Sequence, residues 1–295
     1  MNQTESASET VNLMNRFGFR AKKKYGQNFL TSDAVLDAIA EDAELAPSDL
    51  VLEIGPGLGS LTKRLCEHAG QVKAVEIDGE LLPILQAALS EYHNVTICAG
   101  DILKMDPVEL TEGWNGPVKV VANLPYYITT PILLELIEGR LEYETITVMV
   151  QKEVAERMQA GPGSKAYGAL SLAVSYHTHP QIRRIVPANA FYPQPGVDSA
   201  VITMKRRMEP AVQTLSEDML FSVIRAAFGQ RRKTLVNALY NSGSVSLKKD
   251  DIAEAIREIG SSPQIRGEAL TLEQFAALSD VLYRKITERP RTPGK

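Results

Sequence analysis

A chain of 295 residues has room for about two domains, and its 44% hydrophobic and 23% charged residues are ordinary for a globular protein. The net charge of −4 argues against a protein that coats nucleic acid over its whole surface. Two cysteines without C-x-x-C spacing argue against a disulfide framework or a thiolate zinc site, and no apolar run approaches the roughly 18 residues that cross a bilayer. We therefore expect a soluble, cytoplasmic protein without a bound metal.

The predicted elements begin after a polar N-terminal stretch. Residues 1–21 show no helical or strand period and are predicted to be a mobile segment. A helix is predicted over 34–39, and a buried strand at 49–54 runs directly into Gly55-Pro-Gly57-Leu-Gly59, after which a second helix begins. Strand, glycine turn and helix in immediate succession are typical of the nucleoside-binding end of a βαβ unit.

Strands and helices then alternate along the chain. Further strands are predicted at 72–77, 95–98, 118–122 and 145–150, with helices at 81–89 and 131–137 between them. The alternation predicts an α/β fold with a Rossmann-like, doubly wound, mainly parallel sheet, and the runs 183–186 and 199–204 predict an antiparallel edge hairpin.

The composition changes after residue 207. Helical patterns at 215–240, 249–259 and 272–286 predict a smaller, all-helical C-terminal domain. We therefore expect a catalytic domain over 22–207, a helical domain over 208–286 and a tail over 287–295.

Acidic side chains stand at the carboxyl ends of three predicted strands, at Glu53, Glu76 and Asp101. A dinucleotide fingerprint needs a glycine where Ser60 stands, and an acidic crevice repels a pyrophosphate. The same crevice favours a positively charged sulfonium that carries a ribose and an adenine. The pattern predicts S-adenosylmethionine as cofactor, with Glu76, 21 residues after Gly55, at the ribose hydroxyls.

The fourth predicted strand ends at Asn123-Leu-Pro-Tyr126. Pro125 fixes its own φ and favours an extended Leu124. The Asn123 side chain and nearby main-chain carbonyls can accept the hydrogens of an amino group, and Tyr126 can stack on a flat ring. We predict an adenine-binding site here, although a turn asparagine beside a core tyrosine is the alternative interpretation of this tetrapeptide alone.

Six segments that occur in order together resemble the ribosomal RNA adenine N6-dimethyltransferase family, most closely its bacterial small-subunit branch. They are Lys24-Tyr-Gly-Gln-Asn-Phe-Leu30, Glu53-Ile-Gly-Pro-Gly-Leu-Gly59, Val75-Glu-Ile-Asp78, Gly100-Asp101, Asn123-Leu-Pro-Tyr126 and Phe191-Tyr-Pro-Gln-Pro-Gly-Val-Asp-Ser199. The resemblance covers residues 22 to about 240 and includes Gln230-Arg-Arg-Lys-Thr-Leu235 in the helical part.

The resemblance implies cofactor contacts for six residues. Asn28 and Leu30 would border the methionine end of S-adenosylmethionine, Gly55 would lie beneath it, Glu76 would bind the ribose hydroxyls, Asp101 the adenine amino group, and Asn123 would lie between cofactor and substrate. Many relatives carry histidine in place of Asn28, which puts only a side-chain role there in doubt.

The resemblance also implies the reaction, which is dimethylation of two adjacent adenosines in a hairpin near the 3′ end of 16S rRNA. The catalytic residues would be Asn123, Pro125, Tyr126 and Phe191, with the two aromatic rings stacked against a base turned out of its helix. The expected partner is 16S rRNA within an immature 30S subunit, bound by a monomer, and no membrane is involved.

Basic residues are unevenly placed on this acidic chain. From their clusters we predict RNA contacts by Lys22, Lys23, Lys24, Arg231, Arg232 and Lys233. A third cluster lies at 205–207, and three unrelated solvated patches are the alternative interpretation. Arg231 could instead brace the two domains.

Four other functions are alternatives to this one. A 23S rRNA dimethyltransferase shares the catalytic motifs but tends to be strongly basic. A DNA adenine methyltransferase more usually carries Asn-Pro-Pro-Tyr, from which Leu124 departs, and Ser60 disfavours a NAD oxidoreductase. A ribosome-assembly factor whose binding matters more than its chemistry is the alternative from a different class.

Overall fold

The computed structural model describes residue 10 and residues 12–288. Packing divides the chain into two units. The first runs to Ala155 and resumes over His179–Arg206, and the second comprises Glu156–Thr178 and the described chain from Arg207 onward. The predicted boundary at 207/208 lies one residue from this division, whereas residues 156–178 belong to the second unit and not to the predicted domain over 22–207.

Among the described residues the strands are β1 Phe29–Leu30, β2 Leu50–Ile54, β3 Gln71–Glu76, β4 Val95–Ala99, β5 Val118–Asn123, β6 Thr145–Gln151, β7 Thr178–Val186, β8 Phe191–Tyr192 and β9 Ser199–Arg206. The first unit is built on a sheet of seven of them in the order β4-β3-β2-β5-β6-β9-β7. The strands β2 to β6 pair in parallel, and β9 pairs antiparallel with β6. The predicted Rossmann-like fold with an antiparallel edge is confirmed.

The central strands form because their side chains are apolar on both faces. Every residue of β2 is buried, as are the first six residues of β6, which is what a sheet covered by helices on both sides requires. The strand order reverses between β2 and β5, so the chain leaves these two neighbours in opposite directions. A crevice opens outside the carboxyl ends of strands at such a point.

Helices connect the strands and form the second unit. In the described chain they are Asp33–Asp42, Ser60–His68, Leu82–Ala88, Pro107–Thr111, Thr129–Glu138, Lys152–Met158, Ala169–His177, Glu217–Gly229, Leu235–Ser242, Lys249–Glu258 and Leu272–Thr287. None of the helices in this part of the chain is both long and apolar enough to span a bilayer.

The single helix predicted over 215–240 is wrong. The structure contains two helices, because the chain leaves the helical conformation after Gly229 and turns through a hydrogen bond from Lys233 N to Gln230 O (2.8 Å) before Thr234 begins the second. The turn contains no apolar residue, but Phe228 and Leu235 on its two sides are seven residues apart, which is a helical spacing, so periodicity alone did not reveal the break.

The N-terminal segment also differs from its prediction as mobile. Residues 12–16 are helical, and Met14 and Phe19 are buried in one cluster with Phe29 and Leu81. The Phe19 and Phe29 rings meet edge to face at a centroid distance of 6.1 Å. Residues 1–9 and 11 of this prediction lie outside the described residues, as do residues 289–295 of the predicted tail.

A buried ion pair joins β5 to the start of β2, at the amino end of the sheet. Lys119 Nζ lies 2.9 Å from Asp49 Oδ2, and both side chains are almost fully buried. Lys119 Nζ also donates to the Glu44 carbonyl at 2.5 Å, and Asp49 Oδ2 accepts from Ala46 N at 2.8 Å. Each charge is therefore satisfied only while the other is present.

Replacing the lysine of this pair tests how much the pair contributes to stability. We expect Lys119→Met to lower the free energy of unfolding by about 3 kcal/mol, because it leaves the Asp49 carboxylate buried without its counter-charge. Urea unfolding followed by circular dichroism measures the change. Lys205→Met on the exposed side of β9 is the matched control, and an equal effect from both variants would contradict a special role for the buried pair.

Candidate functional site

A cavity lies at the carboxyl ends of β2 and β5. Seven of the residues predicted from the sequence line it, namely Asn28, Leu30, Gly55, Glu76, Asn123, Pro125 and Tyr126. Asp101 and Phe191 do not line it. The structure thus brings together residues that are up to 98 positions apart in the chain, from Asn28 to Tyr126.

Strand register explains why these side chains converge. Ile54 pairs with Val75 on β3 and with Ala122 on β5. The residues that follow these three along the chain are Gly55, Glu76 and Asn123, so all three lie at the same level, at the carboxyl ends of the strands. Residues at one level of a parallel sheet point to the same face, which places them together on one side of the crevice.

The glycine turn after β2 needs a backbone that other residues rarely adopt. Gly55 has φ +69° and Gly57 has φ +60°, both in the left-handed region. A Cβ on Gly57 would lie 3.1 Å from the Phe29 ring, so the segment of β1 packs directly on this turn. The turn therefore exposes bare backbone to the cavity, where a ligand can approach closely.

Glu76 holds the glycine turn and still keeps acceptor capacity. Its Oε2 accepts from Gly57 N at 3.2 Å and its Oε1 accepts from Asp78 N at 2.8 Å. Burial raises the pKa of Glu76, and these hydrogen bonds oppose the rise. A carboxylate has about four lone-pair positions, so about two remain for the two hydroxyls of a ribose.

Glu53 is a second carboxyl group in the cavity wall, and it lacks comparable support. Its residue is 1% exposed, and its Oε2 has no hydrogen-bond partner among the described residues. Complete burial raises the pKa of Glu53 to about 8; the Thr62 hydroxyl opposes this rise and the charge of Glu76 adds to it. Glu53 is therefore mostly protonated at neutral pH.

Asn123 is oriented by the N-terminal segment. Its Nδ2 donates to the Asn28 carbonyl at 3.4 Å, which leaves Oδ1 as an acceptor. The Asn28 side chain is engaged with Gly26 O at 3.0 Å, so the main chain of Asn28, and not its amide group, meets Asn123. The backbone contact with the cofactor at position 28 stays a prediction.

The carbonyl groups after Asn123 are not equivalent. The Pro125 carbonyl already accepts from Thr129 Oγ1 at 2.9 Å and from Ile128 N at 3.2 Å, at the start of the helix Thr129–Glu138. Those two bonds occupy both of its lone pairs. The Leu124 carbonyl is therefore the better candidate for the second acceptor beside Asn123.

Two tyrosines follow Pro125, and sequence reasoning identified only the first. The Tyr126 hydroxyl is 2.7 Å from Ser199 Oγ, which fixes the plane of its ring. Tyr127 also lines the cavity, is 55% exposed, and lies so close to Gly26 that a Cβ there would be 3.2 Å from its ring. An exposed aromatic ring beside a cavity is the usual surface for base stacking, and the adjacent Tyr-Tyr pair was the sequence signal for it.

Phe191 does not line the cavity and lies in the hydrophobic core. It is 4% exposed, pairs with Leu30 between β8 and β1, and belongs to the same buried cluster as Leu30 and Val201. In this structure the ring fills the core, and the contact with a flipped base remains a prediction. Its backbone pairing supports Leu30, which does line the cavity.

Asp101 follows β4 and lies beside the cavity. Its Oδ1 accepts from Leu103 N at 3.2 Å, and Gly100 N donates to the Glu76 carbonyl at 2.9 Å. Burial raises the pKa of Tyr127, and the charge of Asp101 adds to this rise. Asp101 is thus within electrostatic range of the cavity without being part of its wall.

The N-terminal segment is tied to the end of β3 by a polar cluster. Lys22 Nζ lies 2.8 Å from Asp78 Oδ1 and 2.9 Å from Glu80 Oε2, and Gln27 Nε2 donates to Asp78 Oδ2 at 3.0 Å. Burial alone would raise the pKa of Asp78, but the hydrogen bonds from Lys22 and Gln27 hold it below its ordinary value. Lys22 therefore pairs with two carboxylates, and the RNA contact predicted for it stays a prediction.

The other predicted basic residues fall into two groups. Lys24 is exposed and lies 4.4 Å above the Tyr25 ring, and the side chain of Lys23 lies outside the described residues. In the second unit, Arg231 Nε donates to Glu268 Oε2 at 2.7 Å and its Nη2 to Ser164 O at 3.2 Å. Arg231 thus holds elements of its own unit together, while Arg232 and Lys233 are exposed.

The cavity fits a cationic nucleoside cofactor. It combines bare backbone at Gly57, spare acceptor positions on Glu76 and an unpartnered buried carboxyl group at Glu53. The negative charge of Glu76 disfavours an anionic ligand. The residues present therefore suit S-adenosylmethionine. Within the described residues, no group of three or more His, Cys, Asp or Glu side chains is arranged to hold a metal ion.

A family model matches most of the chain. The model described as ribosomal RNA adenine dimethylase matches residues 18–262. The matched range contains every site residue predicted from the sequence, from Lys22 to Lys233.

Relatives of the chain match over nearly their full length. The ribosomal RNA small subunit methyltransferase A of Lachnoclostridium phytofermentans is 55% identical over 281 residues, which cover 94% of this chain and 97% of that protein. The protein of the same name from Streptococcus pneumoniae is 48% identical over 279 residues, covering 93% and 96%.

Two solved structures share the fold. A dimethyladenosine transferase from Plasmodium falciparum gives a TM-score of 0.71 at 26% identity and covers 88% of this chain and 98% of its own. The 23S rRNA methyltransferase ErmE gives a TM-score of 0.64 at 28% identity, covering 87% and 100%.

Substitution of Lys22, which belongs to the polar cluster around Asp78, tests whether this residue supports cofactor binding or contacts RNA. We expect Lys22→Met to weaken S-adenosylmethionine affinity severalfold, because the segment that carries Asn28 and Leu30 loses its anchor to β3. Calorimetric titration measures this affinity. We expect Lys24→Met, the matched control, to leave it unchanged.

The two variants should also differ in RNA binding. The salt dependence of RNA affinity should stay unchanged in Lys22→Met, since Lys22 is paired within the protein, and should decrease in Lys24→Met. A Lys22→Met protein with unchanged cofactor affinity and a reduced salt slope would reverse the assignment.

Proposed function

Because the chain belongs to the ribosomal RNA adenine dimethylase family and is an S-adenosylmethionine-dependent rRNA adenine dimethyltransferase, we propose that its substrate is 16S rRNA. The proposed reaction transfers methyl groups to N6 of two adjacent adenosines in a hairpin near the 3′ end, giving N6,N6-dimethyladenosines. The observation that carries the site assignment is Asn123, which lines the cavity and donates its Nδ2 to the Asn28 carbonyl, so that Oδ1 remains as the acceptor.

The relatives support the small subunit over the large one. Proteins named for the small subunit are 55% and 48% identical to this chain, whereas the 23S rRNA methyltransferase ErmE is 28% identical. The net charge of −4 agrees with this choice, because the large-subunit enzymes of the family tend to be strongly basic. The large-subunit alternative is therefore not favoured.

The site has to make adenine N6 a better nucleophile. Its lone pair is delocalised into the ring, so the amino group is a poor nucleophile. Asn123 Oδ1 and the Leu124 carbonyl would accept its two hydrogens, hold the nitrogen out of conjugation and aim its lone pair at the reacting methyl group. S-adenosylmethionine supplies that methyl group, activated on a sulfonium.

The aromatic residues would hold the base while it reacts. Tyr126, fixed through Ser199, offers a ring of constant orientation, and the exposed Tyr127 offers a second surface at the cavity mouth. A base must leave its helix to reach such a site, and stacking on these rings would offset part of the cost of unstacking.

The substrate particle and the oligomeric state belong to the proposal as well. An immature 30S subunit is the proposed partner, because relatives are named for the small subunit. This substrate would place the activity in the cytoplasm. A monomer is proposed because every step described uses residues of one chain.

A single labelling experiment tests the substrate. The protein is incubated with labelled S-adenosylmethionine and, separately, with small subunits, large subunits and DNA, and the modified base is mapped. We expect label only on two adjacent adenosines near the 3′ end of 16S rRNA. Label on 23S rRNA or DNA would overturn the proposal.

The role of Asn123 is tested by truncation. We expect Asn123→Ala to lower turnover by at least about two orders of magnitude, because the amino group is no longer aimed, while cofactor affinity stays within severalfold of the original. Single-turnover methylation and calorimetry measure the two quantities. Asn115→Ala, in an exposed loop, is the control, and near-normal turnover of the Asn123 variant would remove this residue from the mechanism.

Substitutions in the basic cluster of the second unit test which of its residues bind RNA and which stabilise the fold. We expect the double variant Arg232→Gln, Lys233→Gln to reduce the slope of log affinity for RNA against log salt by about 2, with little change in stability. Arg231→Gln should instead lower the free energy of unfolding by about 1 kcal/mol, because it removes the Glu268 and Ser164 contacts. The opposite pattern in filter binding and urea unfolding would return Arg231 to the RNA surface.

A further inference from the structure

The carboxyl group of Glu53 is not used in the reaction described above, although it lines the cofactor cavity. Glu53 is the second-last residue of β2, its neighbours across the ladders are Ala74 and Val121, and only 1% of its surface is exposed. Its Oε2 is buried and accepts no hydrogen bond among the described residues. A buried polar atom without a partner costs free energy in the folded protein, so its presence in a cavity wall points to a ligand.

The surroundings of Glu53 restrict which ligand this can be. Glu76 on β3 is the charged group that acts on its carboxyl, and on the helix Ser60–His68 the Thr62 hydroxyl and the Cys66 thiol interact with it. Burial raises the pKa of the Cys66 thiol to about 12, so Cys66 stays neutral. On β5 the same face carries Val121 and Asn123, which do not titrate. A positive charge in the cavity would therefore meet two carboxyl groups and no basic residue among those that line it.

The two carboxyl groups differ in how their charge is supported. Glu76 receives hydrogen bonds from Gly57 N and Asp78 N, which favour its ionised form. Glu53 has no equivalent donor at Oε2, so of two nearby carboxyl groups it is the one that keeps a proton. The arrangement stores one proton at a position where a cation can replace it.

We propose that Glu53 is a specificity-determining residue of the cofactor site, which exchanges its proton for the sulfonium charge of S-adenosylmethionine and so distinguishes the methyl donor from its neutral product. The proposal rests on the cofactor site described above. The sulfonium stabilises the Glu53 carboxylate on binding, and the displaced proton passes to solvent. S-adenosylhomocysteine has an uncharged sulfur and gains nothing from the ionised form.

The sign of the pH dependence follows from this exchange. Without a cation the pKa of Glu53 is about 8, and a bound sulfonium lowers it. Donor affinity therefore rises with pH below about 8 and levels off above it, by about tenfold for each unit by which the pKa falls on binding. Product affinity lacks this contribution, so the ratio of donor to product affinity rises over the same range.

Proton release can be measured directly by calorimetry. S-adenosylmethionine and S-adenosylhomocysteine are each titrated into the full chain near pH 7.5 in buffers of different ionisation enthalpy, which gives the number of protons released. The ammonium group of each ligand also titrates in this range, so each ligand is compared between the original protein and Glu53→Gln. Glu91→Gln, at an exposed position, is the matched control.

We expect the original protein to release a substantial fraction of a proton with the donor and markedly less with the product. Glu53→Gln should remove the difference and flatten the pH dependence of donor affinity, while Glu91→Gln keeps both. Equal proton release with the two ligands, or an unchanged difference in Glu53→Gln, would overturn the proposal. Should Glu53→Gln fail to fold, Glu53→Leu, which also lacks the ionisable group, takes its place in this comparison.

The result can be distinguished from a failure of the proposed function. Donor binding without differential proton release removes only the role of Glu53, and the mapped methylation of 16S rRNA is unaffected. Absence of donor binding overturns both.

Discussion

Parallel pairing of β2 with both β3 and β5 is the constraint on which the site depends. It ends three strands at one level, so that Gly55, Glu76 and Asn123 meet although up to 68 residues separate them. A shift of register by one residue would turn one of these side chains to the other face of the sheet. The buried charges at the opposite end of β5 and β2 fix the same pair of strands, so sheet stability and site geometry share one ladder.

The charge of the cavity follows from the same ladder. Because the sheet is covered on both faces, carboxyl groups at these strand ends are buried, and each must find donors or keep its proton. Glu76 accepts hydrogen bonds from Gly57 N and Asp78 N, whereas Glu53 Oε2 accepts none among the described residues. The outcome is a site that repels phosphates and accepts a sulfonium nucleoside. Glycine at position 57 is part of this solution, since the turn that donates to Glu76 has φ +60° there and packs against the Phe29 ring, which leaves little room for a side chain.

Much of this was predictable from the sequence, because it depends on local patterns. The alternation of apolar runs with helical periods predicts the sheet. The polar residues at the ends of the predicted strands include Glu76 and Asn123. Three features depend on contacts distant in sequence and were not predictable. Lys22 is neutralised by acids 56 and 58 residues away, Arg231 binds Glu268, and Phe191 enters the core because β8 pairs with β1. A charged or aromatic residue predicts a binding role from the sequence. Only the structure shows whether that side chain already has a partner within the protein.

These internal pairings also explain how an acidic chain can bind RNA. Net charge is a property of the whole molecule, but a phosphate responds to charges within about one Debye length, roughly 8 Å in physiological salt. Basic residues that are paired inside the protein contribute little to that local field. Within the described chain Arg231 and Lys22 are of this kind, and Lys24, Arg232 and Lys233 are exposed. The number of unpaired cations in each cluster, and not the charge of −4, therefore determines where RNA is attracted.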